Sequence, residues 1–304
     1  MIKGLSREAK AELLLFILAM IWGGSFVAAK FSMTAFDPYY VCLLRYGLGF
    51  LVLWFLFPKE RKKLDKPTLI GGLEVGILLG VGTAFQMVGL KYTTPANQTF
   101  IIVSYVITVP LLNFIISKVR PGGHILVAAV FTVIGVGFLT LGPGTGFNIG
   151  DGMTFIMALL FALQILCIDH WMPKVTSSIM FTAAQFFAAT VISVILFFIN
   201  GRTMYTGEIT AAAITGIAYI VILNTVVGYG IQNYAQRDAS PDKSALIISS
   251  ESLFGTFAAY FFAGESFPPK KIVGCILILI GQFIAQVLPA LKKIGRERRV
   301  IDKA

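Results

Sequence analysis

Charge is scarce in this chain of 304 residues: Asp, Glu, Lys and Arg together make up 13%, where an ordinary globular domain carries about 25%. That excludes a surface solvated by water over most of its area. Histidine is rarer still, with only His124 and His170, and neither an HExxH helix nor a GxSxG nucleophile elbow is present. No metal site, cofactor site or activated nucleophile is therefore expected. The three cysteines, Cys42, Cys167 and Cys275, all lie inside apolar runs, which excludes a disulfide framework and reads as packing. A cleavable leader is not expected, because the first apolar run, from Leu13, is long enough to span and lacks a small-residue cleavage site.

What the chain has instead is apolar surface. Hydrophobic residues reach 57% and the mean hydropathy is +0.82, the composition of a polytopic membrane protein. The net charge of +10 does not point to nucleic acid, since the basic residues sit in short tracts between apolar runs and are not interleaved with stacking aromatics. At a span length of about 20 residues, ten segments are predicted, near 12–30, 39–57, 69–90, 95–117, 124–141, 151–170, 179–199, 209–236, 241–262 and 271–290. Turn signals separate them: DPYY, TTPAN, LGPGTGFNIGDG and DASPDK. Segments apolar on every face must satisfy their backbone groups internally, as helices.

Basic residues set the orientation. Lys3, Arg7 and Lys10, the tract from Lys59 to Lys66, Lys118, Arg120, Lys174, Arg237, Lys243 and the tail IGRERRVIDKA fall on one face. Lys30, Lys91, Arg202, Lys270 and Lys271 fall on the other. Both termini are expected in the cytoplasm, with the protein in the cytoplasmic (inner) membrane.

The chain also repeats itself. GLKYTTPANQTFIIVSYV aligns without a gap on AQRDASPDKSALIISSES at an offset of 146, which carries Pro95 onto Pro241, Gln86 onto Gln232 and Ile134–Gly135 onto Ile280–Gly281. At an offset of about 140, Arg45 falls on Gln185. Residues 1–146 and 147–304 therefore read as two five-helix halves, the second carrying the basic tail. An odd number of spans per half forces the two into opposite orientations, the arrangement used by secondary transporters with a substrate site near the midplane.

LAMIWGGSFVAAK, LLRYGLGF, TTPANQTFIIVSYVITVPLL, GDGMTFIMALLFAL and ESLFGTFAAYFFAGESF followed by IVGCILILIGQFIA, in this order and spacing, resemble the EamA-type ten-helix branch of the drug/metabolite transporter superfamily over nearly the whole chain. The resemblance implies a carrier of small metabolites. One departure is Val119, which stands where the first half of such proteins often has an acidic residue matching Glu265.

Helical rise places the candidate site. Glu251 lies ten residues into its helix from Pro241, about 15 Å, which is the centre of a hydrocarbon core about 30 Å thick. Tyr105, Trp22 and Phe161 reach the same depth by the same count from Pro95, Glu12 and Asp151. These four residues predict an aromatic-lined pocket with one carboxylate, suited to an amphipathic or cationic substrate; Gln164 is a further candidate. Glu251 reads either as the substrate or proton-coupling group or as the structural partner of Arg45, which enters from the outer face. Gln86, Asn97 and Gln98 gather toward the outer helix ends, and Gln232, Asn233 and Lys243 toward the inner ends. They read as gates or as interhelical hydrogen bonds. Gly72, Gly76 and Gly80 form a close-packing face.

The expected protein is an all-α integral membrane carrier of ten helices in two inverted five-helix repeats. It exports a small metabolite, such as an amino acid or related amine, by alternating access, with proton coupling as one of the two readings of Glu251. A membrane-embedded enzyme or a channel acting on a small polar or lipid-like molecule is the alternative, although neither a ligand cluster nor a repeated filter supports it. Its partners are a small-molecule substrate and the lipid bilayer, not nucleic acid; the sequence does not specify an oligomeric state.

Overall fold

A computed structural model describes residues 6–118, 122–140, 148–266, 268–281 and 283–284. The basic tail, Val119 and the last part of the segment predicted at 271–290 lie outside the described residues. Among these, helix is the only extended secondary structure; a single antiparallel bridge pairs Phe36 with Tyr205.

Among the described residues, eight helices are long and apolar enough to cross a membrane: α1 (Arg7–Ser32), α2 (Pro38–Leu56), α3 (Lys66–Gly89), α4 (Pro95–Ile116), α6 (Ile149–Lys174), α7 (Ser178–Ile199), α8 (Ala211–Ala235) and α9 (Pro241–Ala263). Between and after them come α5 (Gly123–Thr140) and α10, helical over 269–281. Large apolar side chains cover the outside of the bundle, including Phe55, Phe198, Phe261 and Phe262, each more than half exposed. In a helical protein such a surface is matched to lipid and not to water. The chain is an integral membrane protein.

The helix starts follow local chemistry. Side chains of Asp37, Asp65, Thr94, Asn148, Ser177 and Thr210 cap orphan backbone N–H groups, and Asn148 and Asp151 form a reciprocal capping box. Proline stands in the first turn of α2, α3, α4 and α9, where its missing N–H costs nothing.

α4 and α9 are both interrupted. α4 is helical over Pro95–Ile102 and Tyr105–Ser117, and α9 over Pro241–Ile248 and Glu251–Ala263. At each break the backbone tightens to three-residue hydrogen bonds, Val106 N to Val103 O at 3.0 Å and Ser252 N to Ser249 O at 3.1 Å. Hydroxyls back-bond to the same turns: Thr108 Oγ1 to Ser104 O at 2.9 Å, and Ser252 Oγ to Ser249 O at 2.9 Å. Serine and threonine compete in this way with the helical ladder. Both helices also end on a left-handed residue, Lys118 (φ 58°) and Gly264 (φ 64°).

α3 and α7 approach most closely. A β-carbon at Gly72 would stand 2.8 Å from Phe181 O, one at Gly76 2.7 Å from Ala188 Cβ, and one at Gly80 3.0 Å from Ala189 Cα. Only glycine admits this separation, in keeping with the close-packing face read from their spacing. α5 and α10 meet in the same manner. A β-carbon at Gly135 would lie 2.8 Å from Gly274 O and 2.6 Å from Ile278, and one at Gly281 2.8 Å from Ala128 O and 2.8 Å from Thr132.

Candidate functional site

The structure brings Trp22 of α1, Phe161 of α6, Tyr105 of α4 and Glu251 of α9 together in the middle of the bundle, where all four are buried. The Trp22 and Phe161 rings stand edge to face at 5.4 Å, and Tyr105 and Phe161 at 5.2 Å. The Tyr105 hydroxyl donates to Glu251 Oε1 at 3.2 Å. Glu251 is the first residue after the break in α9, and Tyr105 the first after the break in α4. Both therefore sit where a helix restarts in the bundle interior.

Arg45 of α2 is buried on the other side of the same cavity. No ion pair joins it to Glu251 among those of the described residues. Its Nε donates to Thr225 Oγ1 at 3.1 Å, its terminal nitrogen donates to Asn224 Oδ1, and its guanidinium lies 5.0 Å from the Tyr46 ring centroid. Those partners come from a π-helical stretch of α8, Tyr219–Tyr229. The wider π turn sets Asn224 at the bundle interior, and its backbone oxygen accepts from Trp22 Nε1 at 3.1 Å. Such stretches frequently mark functional sites.

Between these groups lies a cavity of 20 Å³, also lined by Ser25, Gln86, Asn224 and Tyr229. A water needs about 10–15 Å³, so this conformation closes tightly around the site. The arrangement offers a carboxylate and a guanidinium to one small space with aromatic walls. Chemically, a carboxylate attracts an ammonium group and a guanidinium attracts a carboxylate.

The remaining sequence candidates divide. Gln86 lines the cavity and its carbonyl accepts from Gln98 Nε2 at 2.8 Å. Gln164 is buried beside Phe161 with no hydrogen-bond partner for its amide among the described residues, and Gln232 is likewise buried and unpartnered. Asn233 is held in a reciprocal amide pair with Gln185, at 3.0 and 3.2 Å, and donates to Thr182 at 2.8 Å, away from the cavity. Asn97 is half-buried near the start of α4, with its side-chain oxygen unpartnered. At the opposite end of the bundle Lys243 ties α9 to α1 through Glu8 and, at 3.1 Å, Glu12.

Three functional-looking groups escaped sequence reasoning. Asn224 was hidden because hydropathy carries no sign of a π turn, although it is the one amide in the stretch YIVILNTVVGY. Tyr229, 5.0 Å from the Trp22 ring, looks in sequence like any packing aromatic. Asp151 was used only to count depth, yet it is fully buried and accepts from Thr93 Oγ1 at 2.7 Å, joining α6 to the turn before α4. Glu265, opposite the departure at Val119, accepts from Ala96 N at 3.2 Å.

Comparison with known proteins gives the family. The model of the EamA-like transporter family matches residues 9–141 and again 148–286. An uncharacterized transporter of Archaeoglobus fulgidus is 28% identical over 281 residues, 91% of this chain and 86% of that protein. The uncharacterized transporter YyaM of Bacillus subtilis is 23% identical, over 86% of this chain and 89% of that protein. A WAT1-related protein of Arabidopsis thaliana is 23% identical, over 82% and 79%. A protein of known crystal structure superposes with a TM-score of 0.67 at 14% identity, over 92% of this chain and 97% of the other, a likeness of fold alone. With both halves of its length matched, this chain belongs to the EamA-like transporter family of the drug/metabolite transporter superfamily.

Proposed function

We propose that the protein is a secondary active exporter of a small zwitterionic metabolite, an amino acid or related amine, working by alternating access across the cytoplasmic membrane with both termini in the cytoplasm. The observation that carries this reading is the pairing of Arg45 and Glu251, unbridged, on one aromatic-walled cavity. Each charge is costly in a bilayer interior, and a substrate with a carboxylate and an ammonium group would compensate both at once.

Ten spans in two inverted repeats, divided near residue 146, belong to this proposal. The breaks in α4 and α9 and their left-handed ends recur 146 positions apart. The contacts across α5 and α10 are reciprocal: Gly135 meets residues 274 and 278, while Gly281 meets 128 and 132, the pattern of a two-fold axis. Two such halves can rock about a shared centre, opening one face as the other closes. The ties on opposite faces, Asp151 with Thr93 and Lys243 with Glu12, suit that motion.

The test is counterflow into proteoliposomes loaded with single amino acids and with amines lacking the carboxylate. Accelerated, saturable exchange of zwitterions is expected, lost in Arg45→Met. Exchange of simple amines as fast as of amino acids would overturn the zwitterion assignment, and unsaturable flux would overturn the carrier.

A further inference from the structure

A larger cavity lies away from the central site. It measures 580 Å³ and opens toward the lipid between α2, α7 and α8, with Leu14 of α1 at its back. One flank of α7 is zipped to α3 through glycines; toward α8 it is joined through Gln185 and Thr182 to the Asn233 amide, and the cavity, lined in part by Thr182, lies beside that joint. Gly230 explains part of the opening. It follows the π-helical stretch directly, lines the cavity, and has nothing within 4 Å of where a β-carbon would stand.

The cavity is polar at one end and apolar along its depth. Lys63, Arg237 and Ser177 stand at its mouth, level with the end of α2, the start of α7 and the end of α8. Leu53, Val226, Val227 and Ile231 line the deeper part. From Arg237 to Val226 is eleven residues, about 16 Å of helix, close to the depth of one leaflet in a core about 30 Å thick. Of the charged residues that line the cavity, Lys63 and Arg237 outnumber Glu60. Glu60 is engaged by Lys63 Nζ and Ser177 Oγ, each at 2.6 Å, which leaves the Arg237 charge in excess. Arg237 uses a terminal nitrogen to donate to Val175 O at 2.6 Å, and its guanidinium has five N–H donors in all.

We propose that this cleft is a binding site for a phospholipid with a net anionic headgroup, its phosphate against Lys63 and Arg237 and an acyl chain laid between α2 and α8. A cleft one leaflet deep, cationic at the membrane surface and apolar below, matches such a lipid in both charge and length. The site is separate from the central cavity and does not depend on what the protein transports.

Native mass spectrometry of the full chain in a delipidating detergent tests it, with phosphatidylglycerol, phosphatidylcholine of the same acyl chains, or inorganic phosphate added. Phosphatidylglycerol should be retained selectively, and the double variant Lys63→Gln/Arg237→Gln should bind it about tenfold more weakly or worse. Lys59→Gln, which removes one charge from the same turn outside the cleft, should change nothing. Gly230→Leu should exclude the lipid by filling the deep part; if that variant does not fold, Val227→Trp fills the same wall from a partly exposed position. Equal retention of phosphatidylcholine, equal protection by inorganic phosphate, or full retention in the double or the cleft-filling variant would each overturn the proposal.

Discussion

Tyr105 donates a hydrogen bond to Glu251 across 146 positions of chain, the same interval that separates Pro95 from Pro241. In the proposed two-fold arrangement, a residue that touches the one at its own repeat position sits close to the axis. Trp22 with Phe161 and Tyr46 with Phe186, at 5.4 and 5.9 Å, do the same at offsets near 140. The centre of the bundle is thus built from matched positions that carry unmatched chemistry: a phenol opposite a carboxylate, an indole opposite a phenyl ring.

That asymmetry makes Glu251 the testable coupling group. Glu251→Gln should stay folded, because the amide still accepts from Tyr105, and should retain substrate counterflow, because it mimics the protonated acid. It should lose uphill transport driven by a proton gradient. Tyr105→Phe removes the hydrogen bond and leaves the carboxylate, and should keep gradient-driven transport with an altered pH dependence. Wild-type accumulation by the Glu251→Gln protein under a proton gradient would eliminate the coupling role.

The contact between α3 and α7 predicts a stability difference. Gly76→Ala places a methyl group 2.7 Å from Ala188 Cβ and 2.8 Å from Gln185 Cα, so the helices must part. Overpacking of this kind costs about 1–3 kcal/mol. Gly123→Ala, with nothing within 4 Å of the new atom, should be neutral. Thermal unfolding of the two variants side by side reads the difference.

The ties at the two faces predict reciprocal access. In a background lacking Cys42, Cys167 and Cys275, cysteines at positions 97 and 243 should change their labelling rates in opposite directions when substrate is added. Rates that ignore substrate at both positions would remove the gating assignment of Asn97 and Lys243.

A clasp outside the spans predicts an acid limit. Lys63 and Ser177 hold the Glu60 carboxyl below its ordinary range, and the Thr176 hydroxyl does the same to Asp65. A carboxylate whose pKa is lowered by folding contributes stability above its unfolded pKa and loses it as pH falls through the folded value. The turn between α2 and α3 should therefore stay docked on the turn before α7 at neutral pH and loosen only below the usual carboxylate range. Hydrogen exchange of residues 58–65 between pH 7 and pH 3 measures this, and Thr176→Val should move the onset to higher pH.

Much of the architecture was legible because it is written locally. Long apolar runs become helices wherever no water is available to the backbone, and Pro95 and Pro241 open helices because a proline in the first turn gives up no hydrogen bond. Counting 1.5 Å per residue from those starts was enough to bring Trp22, Tyr105, Phe161 and Glu251 to one level. Boundaries were less legible: α1 begins at Arg7 and α3 at Lys66, earlier than hydropathy suggests, since a capped helix end extends into polar sequence.

The sequence by itself determined that the chain enters a membrane as helices, repeats at 146 residues and carries an acid at mid-depth, because hydropathy, proline position and helical rise depend only on neighbours along the chain. Tertiary structure alone decided that Arg45 is held by Asn224 and Thr225 and not by Glu251, that α8 winds as a π-helix through the site, and that α7 is zipped to α3 through glycines and joined to α8 through the Gln185–Asn233 amide pair. Those outcomes depend on which helices lie side by side and how near glycine lets them come. Pairing energies between distant segments leave no periodic trace in either one.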